Sequence, residues 1–283
     1  MSYQAPLLLF ASHSILFTAH SIQKNGNAFT GAITDPLTIT FVLFLISWFR
    51  ASNAQPVPIS KFPKHNDPIV QQYMSRKKNY HMRYCKMCGV YKPDRTHHCH
   101  ILKTCVLVMD HYDPYLLNCV GHHNIKTFLL FRFYSIVHAL GTCTSSVQAL
   151  INVQSYFSFN TVTVVSAIVF SFAVCSFHVY VFWVGNSCVF RGYTIIEWYE
   201  RGPGRGRGAC KRRSDLWKDG SLYDRGALGN IQYFLGKWPW LWLLPIGNSA
   251  NGNGILPEPN AKGKTLLLQA KQVAIEKLKS KKE

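Results

Sequence analysis

Residues 85–128 read CKMCGVYKPDRTHHCHILKTCVLVMDHYDPYLLNCVGHHNIKTF, and five of the nine cysteines of the chain fall between Cys85 and Cys119. Disulfides are rare in a reducing compartment, so clustered cysteines interleaved with histidines point to metal on the cytosolic side. Cys85 and Cys88 have the two-residue spacing of a knuckle that aims two thiolates at one ion, and His98 and Cys105 follow. Zinc takes four ligands in a tetrahedron, so Cys85, Cys88, His98 and Cys105 form one Cys3His set. Cys143, Cys175 and Cys188 sit in or beside apolar runs and read as packing residues, and Cys210 lies among arginines and lysines.

Working outward, the flanks are of two unlike kinds. Four apolar stretches carry almost no charge: Ala5 to Ile22, Pro36 to Trp48, Thr127 to Ile151 and Thr161 to Gly185. Their lengths lie near the roughly 20 residues a helix needs to cross a bilayer, so the expectation is four transmembrane helices. The first has no basic residue before it, which argues against a secretory leader and for a short first span. The remainder is basic, with 31 Lys+Arg against 13 Asp+Glu. Apolar stretches beside a basic remainder exclude an ordinary soluble globule and a disordered polyelectrolyte, and a balance of that size means anionic partners, nucleic acid or a membrane surface.

Position decides which partners. Twelve Lys/Arg lie from Arg50 to Lys126 and seventeen from Asn186 onward, whereas the connectors Lys24–Thr34 and Asn152–Asn160 share one lysine. Basic loops stay on the cytoplasmic side, which places 51–126 and both termini there and favours membrane lipid over nucleic acid. The expected architecture is an all-α polytopic membrane protein with a cytosolic zinc-binding cysteine-rich module between the second and third helices. Its divisions are 1–50, a first helix pair; 51–126, the cysteine-rich module; 127–185, a second pair; and 186–283, a basic tail. Arg132, inside the third stretch, reads as snorkelling to the headgroups, and His138 and His178 as neutral side chains bonded between helices. Arg201 to Arg213 is glycine-rich and basic, Leu266 to Glu283 is an amphipathic helix candidate, and no internal repeat is visible.

The run from Cys85 to Phe128 resembles the cysteine-rich domain of the Asp-His-His-Cys (DHHC) protein S-acyltransferases, the palmitoyltransferases. The match covers Cys85-x2-Cys88, His98-Cys99, Cys105, Met109-Asp110-His111, Pro114, Asn118-Cys119-Val120-Gly121, Asn124 and Phe128. Asp67-Pro68, Thr194-Ile195-Ile196-Glu197 and Asn230–Gly236 resemble three further family motifs. The resemblance implies palmitoyl-CoA as acyl donor, protein cysteines as acceptors, and residence in the endoplasmic reticulum, the Golgi or the plasma membrane. The short first span favours the thinner endoplasmic reticulum bilayer.

The departures fall on the site. The signature tetrad reads Asp110-His111-Tyr112-Asp113, with Asp113 where the family has its nucleophilic cysteine and Tyr112 where it has a zinc-binding histidine. A second zinc site keeps Cys99 and Cys119 but has Leu102 where a further ligand is expected. Zinc could be rebuilt there from His100, His111, Asp113, His122 or His123; alternatively Leu102 and Tyr112 fill the space, which suits two bulky residues better.

Asp110 and His111 keep the resemblance's orienter and base. A carboxylate at 113 is a hard, weak nucleophile, and its acylation would give a mixed anhydride, uphill from a thioester and quickly lost to water. The expectation is a family member that keeps its fold but has lost ordinary cysteine-based transfer. The alternative is an active S-palmitoyltransferase that uses another nucleophile, such as Cys119, or transfers directly.

Overall fold

The computed structural model describes residues 36–64, 83–151, 159–201, 222–247, 252–256 and parts of 259–276. The first apolar stretch, Asp67-Pro68 and most of the Arg201–Arg213 run lie outside the described residues.

Helix α1 spans Pro36–Asn53, α2 Ile125–Ile151, α3 Phe159–Phe190, α4 Ile195–Arg201 and α5 Gly226–Leu235. Helix α2 lies between α1 and α3 and packs along both. Phe44 of α1 and Phe131 of α2 are fully buried, with ring centroids 5.6 Å apart. Around them Phe128, Leu130, Tyr134 and, from the cysteine-rich segment, Leu116 and Val120 complete the main core.

The expectation of an all-α polytopic chain with four spanning helices is overturned on two counts. Six strands lie between α1 and α2: β1 Tyr84–Cys85, β2 Val90–Tyr91, β3 His97–Cys99, β4 Thr104–Val106, β5 His111–Asp113 and β6 Asn118–Val120. They pair as three antiparallel hairpins, and strands of two or three residues are too short to leave an alternating pattern in the sequence. Further, no helix among the described residues is long and apolar enough to cross a membrane. In α1 the apolar run carries Thr38, Thr40 and Ser47 and ends on Arg50 and Asn53; in α2 it carries Lys126, Arg132 and His138. These polar positions lower the hydropathy that the apolar neighbours suggest.

The hairpins repeat at fourteen residues. Cys85, Cys99 and Asp113 each close a first strand, a four-residue loop follows, and its last residue takes positive φ: Gly89 at 67°, Lys103 at 53° and Leu117 at 52°. Glycine adopts that conformation freely, whereas the other two bear roughly 1–2 kcal/mol each.

The segment is fixed to α1 by side chains that satisfy the open carbonyls of the helix end. Asn118 Nδ2 donates to the carbonyls of Ala51, Ser52 and Ala54 at 2.9–3.1 Å, and Asn124 Nδ2 donates to those of Ala51 and Cys119. Trp48 Nε1 donates to the Tyr115 carbonyl. Replacing Asn118 with alanine removes the shared donor from a buried joint. The Asn118→Ala chain should lose about 1–3 kcal/mol of stability in denaturant unfolding, and an unchanged midpoint would contradict this attachment.

Candidate active site and metal centre

Two sites are built on the hairpins. In the first, the end of β1 presents Cys85 and the β1–β2 loop Cys88, while β3 and β4 present His98 and Cys105, paired across the ladder. The four ligand atoms all lie within 4.8 Å of one another, with His98 Nδ1 at 3.5 Å from Cys85 Sγ and 3.2 Å from Cys88 Sγ. Tetrahedral zinc with ~2.3 Å Zn–S bonds sets its ligands a little under 4 Å apart, so this donor set fits the ion. Cys85 and Cys105 are buried, and Phe62 and Leu107 pack beside them. Such a site supplies folding free energy to a segment with little core of its own.

Cys99 and Cys119 behave differently. Their sulfurs face each other between β3 and β6, in an apolar pocket with Val106 and Met109, against which Leu102, Tyr112 and Ile196 pack. Among the described residues, the first cluster is the one group of ligating side chains poised for a metal. His111 and Asp113 are engaged with each other and with charged neighbours.

That engagement makes the second site. Asp110 Oδ2 accepts from His111 Nδ1 at 2.7 Å, and Asp110 Oδ1 accepts from the Ile195 backbone N–H at 2.7 Å. On the far side of the ring, His111 Nε2 lies 3.8 Å from Asp113 Oδ2. Asp113 is 2% exposed. Its Oδ1 accepts from the Tyr115 and Leu116 backbone N–H groups at 2.7 and 3.0 Å, a side-chain-to-backbone turn of the kind aspartate favours. The second hairpin has the sulfur counterpart, with Leu102 N–H directed to Cys99 Sγ. The carboxylate thus keeps a hydrogen-bonding task of the turn.

Arg132, one of the residues with an unforeseen role, donates to Asp113 Oδ2 at 2.8 Å. The snorkelling expected of it does not occur: it is 3% exposed, enclosed by Tyr115, Phe128 and Phe131 with its guanidinium carbon 5.1–5.6 Å from the ring centroids. An arginine inside an apolar run was the available signal, and its partner lies nineteen residues away. His138 is fully buried and lies against Phe41.

Burial opposes charge on His111, but its hydrogen bond to Asp110 and the negative charges of Asp110 and Asp113 raise it to about 9. Burial likewise opposes the Asp113 anion, and His111, the Arg132 charge and the turn N–H groups outweigh it, holding Asp113 below the usual carboxylate range.

A further contact closes the site from the C-terminal side. Thr194 and Glu197 form a reciprocal cap on α4: Glu197 N–H donates to Thr194 Oγ1 and Thr194 N–H to Glu197 Oε2. Glu197 also accepts a bidentate pair from Arg95 at 3.0 and 2.8 Å, and Arg95 lies over the Tyr223 ring. Asn230 Nδ2 donates to the Phe190 carbonyl and to Asp224 Oδ1.

Known proteins supply the context. The family model described as DHHC palmitoyltransferase matches residues 78–202. The chain is 30% identical to "Probable protein S-acyltransferase 16" of Arabidopsis thaliana over 248 residues, covering 81% of this chain and 80% of that one. The chain belongs to the DHHC palmitoyltransferase family. Two further DHHC relatives are "Palmitoyltransferase ZDHHC15A" of Danio rerio, 31% identical over 61% of this chain, and "Palmitoyltransferase ZDHHC20-B" of the same fish, 30% identical over 77% of this chain and 72% of its own length. The chain spans half the length of the first of these.

Two outcomes are expected of this DHHC segment. Cys88→Ala should lower bound zinc from about one ion per chain and expose residues 83–120 to protease; unchanged zinc by elemental analysis would contradict the ligand set. His111 is raised above its ordinary 6.5, so its stabilising contribution is fully present below about pH 6.5 and lost as pH rises through about 9. Thermal unfolding of the parent chain should therefore weaken across that window relative to a His111→Gln variant, and parallel profiles would refute the charge assignment.

Proposed function

We propose that this chain is a palmitoyltransferase-family protein that keeps the zinc-ordered scaffold and has given up transfer through an acyl-enzyme. The observation that carries the reading is His111 clamped between Asp110 and Asp113, its ring raised to about 9. At neutral pH it is an imidazolium, with no lone pair to take a proton from an incoming thiol. Asp113, at the tetrad position where the family carries its cysteine, is an anion whose two oxygens are already hydrogen-bonded. Its attack on a thioester would give a mixed anhydride. Cys119 offers no ready substitute, because it is fully buried with its sulfur against that of Cys99.

What the scaffold retains is binding. Asp110, His111 and the α4 cap would still frame a site for a fatty acyl-CoA such as palmitoyl-CoA, and the cytosolic hairpins a surface for proteins bearing cysteines or for partner enzymes. One zinc, on Cys85, Cys88, His98 and Cys105, orders those hairpins; Cys99 and Cys119 are the remnant of a second site. Exposed side chains on α1 and α3, including Phe49, Phe172 and Trp183, suit an apolar surface such as membrane lipid. The endoplasmic reticulum or the Golgi is the location this reading favours.

The test is incubation of the purified full chain with labelled palmitoyl-CoA. Binding without hydroxylamine-labile label on the protein is expected. Labelled protein, or label passed to a cysteine peptide at a rate dependent on His111, would overturn the reading in favour of an active transferase.

A further inference from the structure

The Asp113–Arg132 pair has a feature that loss of a nucleophile alone does not explain. A cysteine lost by drift leaves no reason for a matching cation to sit opposite it. Here the guanidinium lies about two turns into α2, on a stretch that otherwise reads Phe128, Leu129, Leu130, Phe131 and Phe133. Three aromatic rings cover it, and the Asp113 carboxylate binds it from outside that cage. Both side chains are nearly inaccessible, at 2% and 3%. Removing either partner of a buried ion pair strands the other charge in a medium of low dielectric, whereas replacing both with groups of similar volume is often neutral.

We infer that Arg132 and Asp113 form one unit, with Arg132 a positioning residue that makes position 113 an anion site. Through it, hairpin β5–β6 is latched to α2, and the chemistry at 113 cannot be exchanged without exchanging 132. The inference deepens the proposed function, on which its account of the lost thiol rests, but its test does not require acyl transfer to be absent.

A thermodynamic cycle on the full chain reads it. Asp113→Asn, which is neutral but keeps an acceptor for the turn N–H groups, and Arg132→Leu are made singly and together, with Arg132→Lys as the conservative variant. Each single change should shift the unfolding equilibrium by 100-fold or more toward the unfolded state. The double variant should recover most of that loss, and Arg132→Lys should keep part of the parent's stability. Single effects that merely add in the double variant would overturn the pairing.

A second readout is one that packing alone would not move: the pH midpoint for alkylation of the thiol introduced by Asp113→Cys. A guanidinium within hydrogen-bond reach should lower that midpoint by about one to three units relative to the Asp113→Cys/Arg132→Leu double variant. Equal midpoints would show that Arg132 does not act on position 113. Neither readout involves palmitate, so an active parent chain would refute the proposed function and leave this pair standing. An uncoupled cycle would do the reverse.

Discussion

Two carboxylates, an imidazole and a guanidinium share one line of contacts, Asp110–His111–Asp113–Arg132, in a region closed to solvent on most sides. With all four ionised the set is electrically balanced, and each charge is stabilised by a neighbour of opposite sign. That balance constrains the rest. It joins β5 to α2, ties Asp110 to the N-terminus of α4, and keeps the histidine in the form that can donate protons but not accept them.

The three hairpins give a common geometry to three kinds of closure. In the first, Cys85 precedes and Cys88 lies within a loop that ends on Gly89, and both contribute to the metal-ligating cluster. In the second, Cys99 faces Cys119 and the loop position equivalent to Cys88 is Leu102, which packs beside that pair. In the third, the equivalent positions are Asp113 and Leu116; the carboxylate binds the loop amides and the leucine enters the main core. The same backbone turn thus carries a pair of metal-ligating thiols, a sulfur with apolar packing, or a carboxylate. A turn needs its amides satisfied, and sulfur and carboxylate oxygen both accept.

How much of this was legible in the sequence follows from separation along the chain. The Cys85–Cys88–His98–Cys105 set was readable because zinc dictates ligand type and spacing. Asp110 and His111 were readable as neighbours from the resemblance. The hairpin repeat was hidden because its equivalent positions carry unlike side chains, Cys/Cys, Cys/Leu and Asp/Leu, and its strands are too short for alternation to register. Arg132 was misread for a different reason. An arginine in an apolar run has two ways to keep its charge solvated or paired, and the sequence cannot tell the interface from a carboxylate on a hairpin nineteen residues back. The expected spans came from counting apolar residues; in α1 the hydroxyls and Arg50, and in α2 Lys126, Arg132 and His138, lower the hydropathy of those helices.

The protonation state of His111 at neutral pH bears most directly on the central claim. It can be read from nitrogen chemical shifts of the ring in selectively labelled full-length protein. The account predicts both ring nitrogens protonated at pH 7, with the neutral form emerging only near pH 9. A neutral ring at pH 7 with an unprotonated Nε2 facing Asp113 would restore a competent base to the site and contradict it.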